Sequence, residues 1–435
     1  MNSEADTTFT LPELRLIPHD WKVSRLRDVA GINELTLRND FPFRTIEYID
    51  IDSVEEGIIK NSKEMEVNKA PTRARRLLRS GDIIISTVRP NLKHYARIKV
   101  IKRNSVCSTG FLVVTPKTID SAFLYYFLTL QSYTDFLSAI AAGQTSAYPS
   151  FNPNVVENTN VPFPPISEQQ AIAKILSDLD EKIELNNQMN KTLEDIVQAI
   201  FKRWFIDFEF PNENGEPYKS SGGEMVESEL GMIPKGWQIT SIKNLGDVIC
   251  GKTPSTKVKE NFGLDIPFIT IPDMRGNTFV VKTERLLSNI GMNSQRNKLI
   301  PPFSICVSCI ATPGLVSITS EYSQTNQQIN SIVCHQGNHV YFVYLSMKNK
   351  SEEIRKMGLG GSATLNLNTN DFGNIKMVLP DDNRISAFNR LVEPLFLEIL
   401  ANSKTNLNLA KARDLLLPKL MTGKIRVPLE EQNVQ

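Results

Sequence analysis

Residues Leu14–Val29 read LRLIPHDWKVSRLRDV, and residues Leu230–Leu245 read LGMIPKGWQITSIKNL. Laid over one another, they match Leu14 with Leu230, Ile17 with Ile233, Pro18 with Pro234 and Trp21 with Trp237, an offset of 216 (233 − 17). Val23/Ile239, Leu26/Ile242 and Arg27/Lys243 agree in kind. The same offset, without gaps, recurs far downstream, where it pairs Ser146 with Ser362, Ala147 with Ala363, Asn152 with Asn368, Asn154 with Asn370 and Pro164 with Pro380. A register shared by both ends of so long a unit marks a tandem duplication. It predicts two bodies of one fold, residues 17–165 and 233–381.

The bodies alternate short β-like runs with turns: RTIEYIDI, GDIIIST and GFLVV in the first, IPFITI, FSICVSCI and NSIVC in the second. Each reads as a mixed, β-rich domain, so the chain is α+β. A long helix is expected after each body, over 166–206 and 382–422. Pro164 and Pro165 stop the preceding strand, and Ser167 with Gln170 fits a capping box. Apolar residues then recur at helical spacing at Ile172, Leu176, Leu179, Ile183, Leu193, Val197 and Ile200. Adding 216 gives Phe388, Val392, Leu395, Ile399, Leu409, Arg413 and Leu416, apolar except for Arg413.

Both stripes are interrupted at the same steps, by Asn186 and Asn190 and by Asn402 and Asn406. An asparagine in a coiled-coil seam costs stability and fixes register. The stripes are as narrow as such a seam, so the two helices are expected to pack on each other. A pseudo-two-fold axis makes them antiparallel, with Asn186 facing Asn406 and Asn190 facing Asn402. The pairing residues are then Leu179, Ile183, Asn186, Asn190 and Leu193 against Leu395, Ile399, Asn402, Asn406 and Leu409. A helix of about 38 residues spans roughly 57 Å, the length of a rigid spacer. Residues 207–232, rich in Gly, Pro, Ser and Glu, read as a linker, and 1–16 and 423–435 as tails.

The chain has 435 residues, 41% hydrophobic and 22% charged, ordinary values for a globular protein of two or three domains. No apolar run reaches the 18 or so residues of a membrane helix. Five cysteines and a polar, acidic start fit a reducing cytoplasm. The net charge is only +1, but its distribution is uneven. From Arg73 to Arg103 ten Lys/Arg face one acid, Asp82. That run predicts an anion-facing surface, for which DNA is the fitting partner.

Three motifs suggest chemistry and fail on context. GDVICGKT, Gly246–Thr253, fits the phosphate-binding loop. Such a loop must open a helix whose N-terminus holds the anion, whereas here PSTKVKENFG shows only Val258 and Phe262 at helical spacing. The first repeat has Ala30, Leu35, Thr36 and Leu37 at the corresponding places. Cys306 and Cys309 form C-x-x-C near Cys334, His335 and His339, but within a strand residues three apart point to opposite faces. FNPN, Phe151–Asn154, lacks the second proline and the aromatic of an adenine methyltransferase motif. No catalytic or metal-ligating residue is assigned, and no cofactor is expected in this chain.

The segments PPISEQQAIAKILSDLDEKIELNNQMNKTLEDIVQAIFKRWFIDF (Pro164–Phe208) and ARDLLLPKLMTGKI (Ala412–Ile425), with IPKGW opening the second body and SVCSTGFLVV in the first, resemble the specificity subunits of type I restriction-modification systems. The start of the second helix, DDNRISAFNRL, departs from the pattern. The resemblance implies that each body is a target-recognition domain reading one half of a split double-stranded DNA site. It implies that the helices set the gap and dock two modification subunits, which methylate adenine with S-adenosylmethionine. Restriction subunits, which use ATP and Mg, would join that core. Candidates for DNA contact in the first body are Arg73, Arg75, Arg76, Arg89 and Lys93, with Gln144, Ser146 and Tyr148 in the loop GQTSAY. In the second they are Arg275, Arg296, Gln327, Gln328 and Ser362. Two other readings stand beside this one: a coiled-coil scaffold that ignores DNA, and a P-loop nucleotidase.

Overall fold

The strand Ile83–Ser86 is buried along its length because both of its faces are covered. Ile83 and Ile85 enter a core with Phe123, Phe127 and Leu128, while Ile84 enters an opposite core with Ile49, Cys107 and Phe111. Alternation of side chains across a strand accounts for this division. The structure, a computed structural model, describes Phe9 and residues 17–144, 149–359 and 367–428. It forms two compact units, Met1–Glu181 with Leu409–Gln435, and Lys182–Asn408.

In the first unit one sheet has the order Ala30–Ile32, Phe111–Pro116, Ile83–Ser86, Tyr95–Arg97. The other has the order Lys63–Glu66, Thr45–Ile49, Ser105–Ser108, Ala74–Leu77, with Thr45–Ile49 and Ser105–Ser108 parallel. Helices Ser121–Leu128 and Gln131–Gln144 cover the first sheet. Strand Lys22–Arg25 pairs with Asn160–Phe163, Lys22 opposite Phe163, so the body closes at its own ends.

The second unit repeats this plan. Gln238–Ser241 pairs with Lys376–Leu379, and Gln238 lies opposite Leu379, which is the first register shifted by 216 (238 − 22 and 379 − 163). Its larger sheet runs Gly246–Cys250, Ile329–Cys334, Ile305–Ser308, Val316–Thr319, Phe279–Val280. Its smaller sheet runs Arg285–Leu287, Phe262–Ile269, Gln324–Thr325. The uniform, gap-free offset needs correcting inside the bodies. Ile305 follows its counterpart Ile83 by 222 (305 − 83), and Ile329 follows Phe111 by 218 (329 − 111). Insertions and deletions there compensate before Asn152 and Asn368. Those paired asparagines cap matched short helices, accepting from Asn154 N–H and Asp371 N–H. Among the described residues, the smaller sheet of the second unit has no partner for the strand Ala74–Leu77. The repeats share a frame and differ where one carries its arginines.

The long helices span Ile166–Phe201, continued as a π-helix over Lys202–Ile206, and Asp382–Met421. The capping expectation fails for the first. Ser167 lies inside the first turn, where the Pro165 carbonyl accepts from Glu168 and Gln169 N–H, at 2.9 and 3.0 Å. Gln169 is buried and bridges the Pro164 carbonyl and Asp120 N–H. Asp381, at the position equivalent to Pro165, caps the second helix by accepting from Arg384 N–H at 3.0 Å.

The two helices run antiparallel within the second unit. Asn186 Nδ2 donates to Asn406 Oδ1 at 2.8 Å, and Asn402 Nδ2 donates to Asn190 Oδ1 at 3.0 Å. Asn406 Nδ2 also reaches Asn187 Oδ1 at 2.8 Å, and Asn190 Nδ2 the Ser403 hydroxyl at 3.4 Å. Asn186 is fully buried, and its Oδ1 accepts no hydrogen bond. Leu179, Ile183 and Leu409 are half-buried along the helices. Leu193, Leu395 and Ile399 sink instead into the body core beside Phe388, Val392 and Phe396. Each helix therefore pairs with its neighbour and also packs on a body. Replacing all four asparagines, Asn186, Asn190, Asn402 and Asn406, by Leu should loosen register while sparing or raising the melting temperature, because it removes both partners of each pair and an unpaired buried acceptor. A melt showing a loss of more than about 1 kcal/mol would count against seam positions.

The stretch expected as a linker is folded onto the second body. Met225–Ser228 and Gly231–Pro234 form a hairpin, and Phe210 is buried, stacked on Tyr218 at 4.6 Å and on Trp237 at 5.0 Å. Glycine and proline set the turns, and the aromatics supply apolar area worth burying. The tail after the second helix docks comparably in the first unit. Arg426 donates to Glu168 Oε1 at 2.7 Å and Oε2 at 3.0 Å, and to Asp20 at 3.0 and 2.8 Å. Trp21 Nε1 donates to the same Glu168 at 3.0 Å.

Candidate nucleic-acid interface

The arginine-bearing strand Ala74–Leu77 begins beside the turn that joins Ser105–Ser108 to Phe111–Pro116. Thr109 N–H donates to the Arg73 carbonyl at 2.7 Å. The Gly110 carbonyl accepts from Thr87 N–H at 2.9 Å and from its hydroxyl at 3.0 Å. Two residues on, Arg89 N–H donates to the Pro149 carbonyl at 2.8 Å, and Phe151 N–H to the Thr87 carbonyl at 3.1 Å. These bonds gather Arg73, Arg89 and the segment leaving the GQTSAY loop at one end of the body. Ser146 and Tyr148 lie outside the described residues, and Gln144 ends its helix with its side chain undescribed.

Arg89 and Lys93 bracket the 3-10 turn Pro90–Leu92, and both adopt left-handed backbone, with φ of 47° and 55°. Strained backbone of this kind persists where the surroundings hold it. Here Leu92 N–H bonds to Arg89 O and Glu56 N–H to Lys93 O. Arg73, Arg75 and Arg89 are exposed, and Arg75 Nε donates to the Thr72 carbonyl at 3.2 Å. Arg76 turns partly inward, its buried Nε without a hydrogen-bond partner.

The basic run is not one continuous anion-facing surface. Lys93 lies 3.8 Å from Glu56 and Lys99 3.4 Å from Glu181, and Lys102 pairs with Glu47. Those acids come from distant parts of the chain, so a count along the sequence overstates the local charge. Asp82, the acid within the run, is buried, and burial pushes its carboxyl above the usual value of 3.8.

In the second body, Gln327 and Gln328 occupy the turn equivalent to Thr109–Gly110, between Gln324–Thr325 and Ile329–Cys334. Thr253 Oγ1 donates to Gln327 Oε1 at 2.7 Å, and Cys309 N–H to the Gln328 carbonyl at 2.8 Å. Leu367 N–H donates to Cys309 O at 2.9 Å, which brings the chain leaving residues 360–366 to the same end. Ser362 lies outside the described residues. Arg275 is exposed at the end of helix Ile271–Met274. Arg296 opens a 3-10 turn beyond Gln324, whose Nε2 holds the Met292 and Gln295 carbonyls. The structure thus places Gln327 and Gln328 beside Thr253 and Cys309, Arg275 at the end of a short helix and Arg296 in a separate 3-10 turn.

The phosphate-loop lookalike ends at this same turn. Gly246–Cys250 is a strand, and no α-helix opens at Thr253, only a 3-10 turn at Lys259–Asn261 before the next strand. A Cβ at Gly246 would come within 2.5 Å of the Val333 carbonyl, and one at Gly251 within 2.1 Å of Thr325 Oγ1, so both glycines serve close strand packing. Lys252 N–H donates to the Thr325 carbonyl at 2.9 Å, and its side chain is exposed. The failed motif gave no reason to single out Lys252. Its nearness to Gln327 emerges only from the fold.

The cysteines behave as core residues. Cys306 packs with Ile269 and Met274, Cys309 with Val307 and Val340, in separate cores. Burial pushes their thiols up to about 12 and about 11. Among the described residues no group of His, Cys, Asp or Glu is arranged to hold a metal, and no helix is long and apolar enough to cross a membrane.

Two repeated bodies, each presenting a polar turn at the same end and each continuing into one of two paired helices, define a class of tandem recognition proteins. The family profile described as the type I restriction modification DNA specificity domain matches residues 18–195 and 234–388, one match per repeat. The chain belongs to that family of specificity subunits. It is 35% identical to the Type I restriction enzyme HindI specificity subunit of Haemophilus influenzae, covering 93% of this chain and 100% of that protein. It is 26% identical to the MjaIX specificity subunit of Methanocaldococcus jannaschii, covering 97% of each. The structure of the type I restriction-modification S subunit from M. genitalium shares the fold, with a TM-score of 0.57 at 16% identity over 94% of this chain and 99% of that one.

Proposed function

We propose that each body reads one half of a split double-stranded DNA site, and that the helix pair sets the gap and docks two modification subunits. In this reading the chain works in the cytoplasm and catalyses nothing alone. Adenine methylation with S-adenosylmethionine belongs to the modification subunits, and ATP- and Mg-dependent cleavage to the restriction subunits. The observation that carries the reading is the repeated frame. Gln238 faces Leu379 as Lys22 faces Phe163, while the turns Thr109–Gly110 and Gln327–Gln328 differ in chemistry at equivalent places. A common scaffold with unlike tips suits two unlike half-sites. Arg73, Arg75 and Arg89 would supply phosphate and base-edge contacts in one half, and Lys252, Gln327 and Gln328 in the other.

The test is co-expression with the cognate modification subunit and mapping of methylated adenines. A split motif with two defined halves is expected. No methylation from a complex shown to assemble would favour the scaffold reading instead. Arg73→Ala with Arg89→Ala should weaken DNA binding and lower the salt dependence of log K by about 0.9 for each phosphate no longer neutralised. An unchanged slope would remove both residues from the interface.

A further inference from the structure

The two docked helix ends, related by the 216 offset, are built from opposite chemistry. In the first unit Glu168, 2% exposed, is held by Arg426, and Asp180 Oδ1 accepts from Arg413 at 2.7 Å while Tyr126 OH donates to its other oxygen at 2.7 Å. Adding 216 turns Glu168 into Arg384 and Asp180 into Phe396, and subtracting it turns Arg426 into Phe210 and Arg413 into Val197. In the second unit the outer pair meets and the inner pair lies within one apolar core. The Arg384 guanidinium lies 5.0 Å from the Phe210 ring, and Val197 and Phe396 share one core, with Phe396 stacked on Tyr341 at 4.3 Å. One end is ionic at both levels, and the other is aromatic and apolar.

We infer that these positions form an address that lets the first repeat pair only with a second repeat and never with a copy of itself. Pairing two first repeats would set Phe210 against the buried Glu168 and Val197 against Asp180. Pairing two second repeats would set Arg426 against Arg384 and Arg413 against Phe396. The first mismatch strands the buried Glu168 without its guanidinium, and the second leaves the half-exposed Asp180 with Tyr126 alone. The third brings two guanidinium groups together, and the fourth takes Arg413 from its carboxylate. Loss of the counter-charge is most unfavourable at Glu168. The surface therefore fits a complementary half, in the same chain or in another copy. A duplicated gene product would otherwise offer four interchangeable pairings. The address is independent of the DNA-reading proposal, because it acts in the chain alone.

The experiment uses the full chain without DNA or partners. Val197→Arg with Phe210→Arg gives the end of the first helix the address of the second. The expected result is a melting midpoint lowered by at least about 5 °C, with loss of the monodisperse wild-type species in light scattering. Adding Arg384→Glu and Phe396→Asp should restore the monodisperse species and part of the midpoint, since the stacked Phe210 and Phe396 rings stay lost. The reverse exchange, Arg413→Val with Arg426→Phe, should fail alike and be rescued by Asp180→Phe with Glu168→Arg. Tolerance of either exchange, or failure of both rescues, overturns the inference. So does a wild-type chain that self-associates through its first helix.

Discussion

Exchanging residues 17–165 for the equivalent body of a related specificity subunit is expected to replace one half of the recognised site and leave the other half unchanged. The body is separable because its first strand, Lys22–Arg25, pairs with its last, Asn160–Phe163, and its cores are built from its own sheets and helices together with the long-helix ends. A replacement must keep a tryptophan at position 21, because Trp21 Nε1 donates to Glu168 at the foot of the first long helix. It must also leave that helix untouched. The effect on the original half-site should be large. Specific protein–DNA binding exceeds non-specific binding by roughly 10³ to 10⁷, so loss of one reader should carry most of that ratio for the old sequence. Mapping methylated adenines before and after exchange reads both halves at once. If both halves changed together, the two bodies would not be independent readers.

Parts of this architecture were legible because the physics is local. The duplication showed in Trp21 and Trp237, and the antiparallel pairing could be read from four asparagines interrupting two apolar stripes. The fold places Asn186 against Asn406 and Asn190 against Asn402. Other parts depend on partners far away in the chain. The composition of residues 207–232 says where turns form but not that Trp237 waits to stack on Phe210. The basic run gave no sign that Glu47, Glu56 and Glu181 lie against three of its lysines. Ser167 satisfied a capping pattern, yet the Pro165 carbonyl already accepts from Glu168 and Gln169 N–H, so the helix starts at Ile166 and Ser167 stands inside it. The glycines of the phosphate-loop lookalike were misleading for a similar reason. Close approach of backbone to backbone requires glycine whether or not a phosphate is bound. The docked C-terminal tail left no trace in the sequence pattern. A lone arginine at 426 carries no periodicity, and its partners are Glu168 and Asp20, far away along the chain.

That arginine should be among the most sensitive positions in the chain. Arg426→Ala is expected to cost about 3 kcal/mol, the lower end for breaking a buried ion pair, because Glu168 is buried but the guanidinium is half-exposed. For a unit of this size that is a fall of roughly 6–12 °C in the melting temperature. The loss comes from the carboxylate left behind, with only Trp21 Nε1 donating to it, more than from the removed attraction. Glu168→Gln in the variant should therefore recover part of the loss, since an amide oxygen still accepts from Trp21 and no charge stays buried. Acid adds a second reading. The hydrogen bond from Arg426 holds the Asp20 carboxyl below its ordinary value of 3.8. A carboxyl with a lowered folded pKa contributes stability that is present above the unfolded value and is lost as pH falls through the folded one. The wild-type chain should then weaken below about pH 4, and Arg426→Ala should flatten that limb while lowering the neutral plateau. Parallel pH curves for the two proteins would show that Arg426 does not hold this carboxylate in solution.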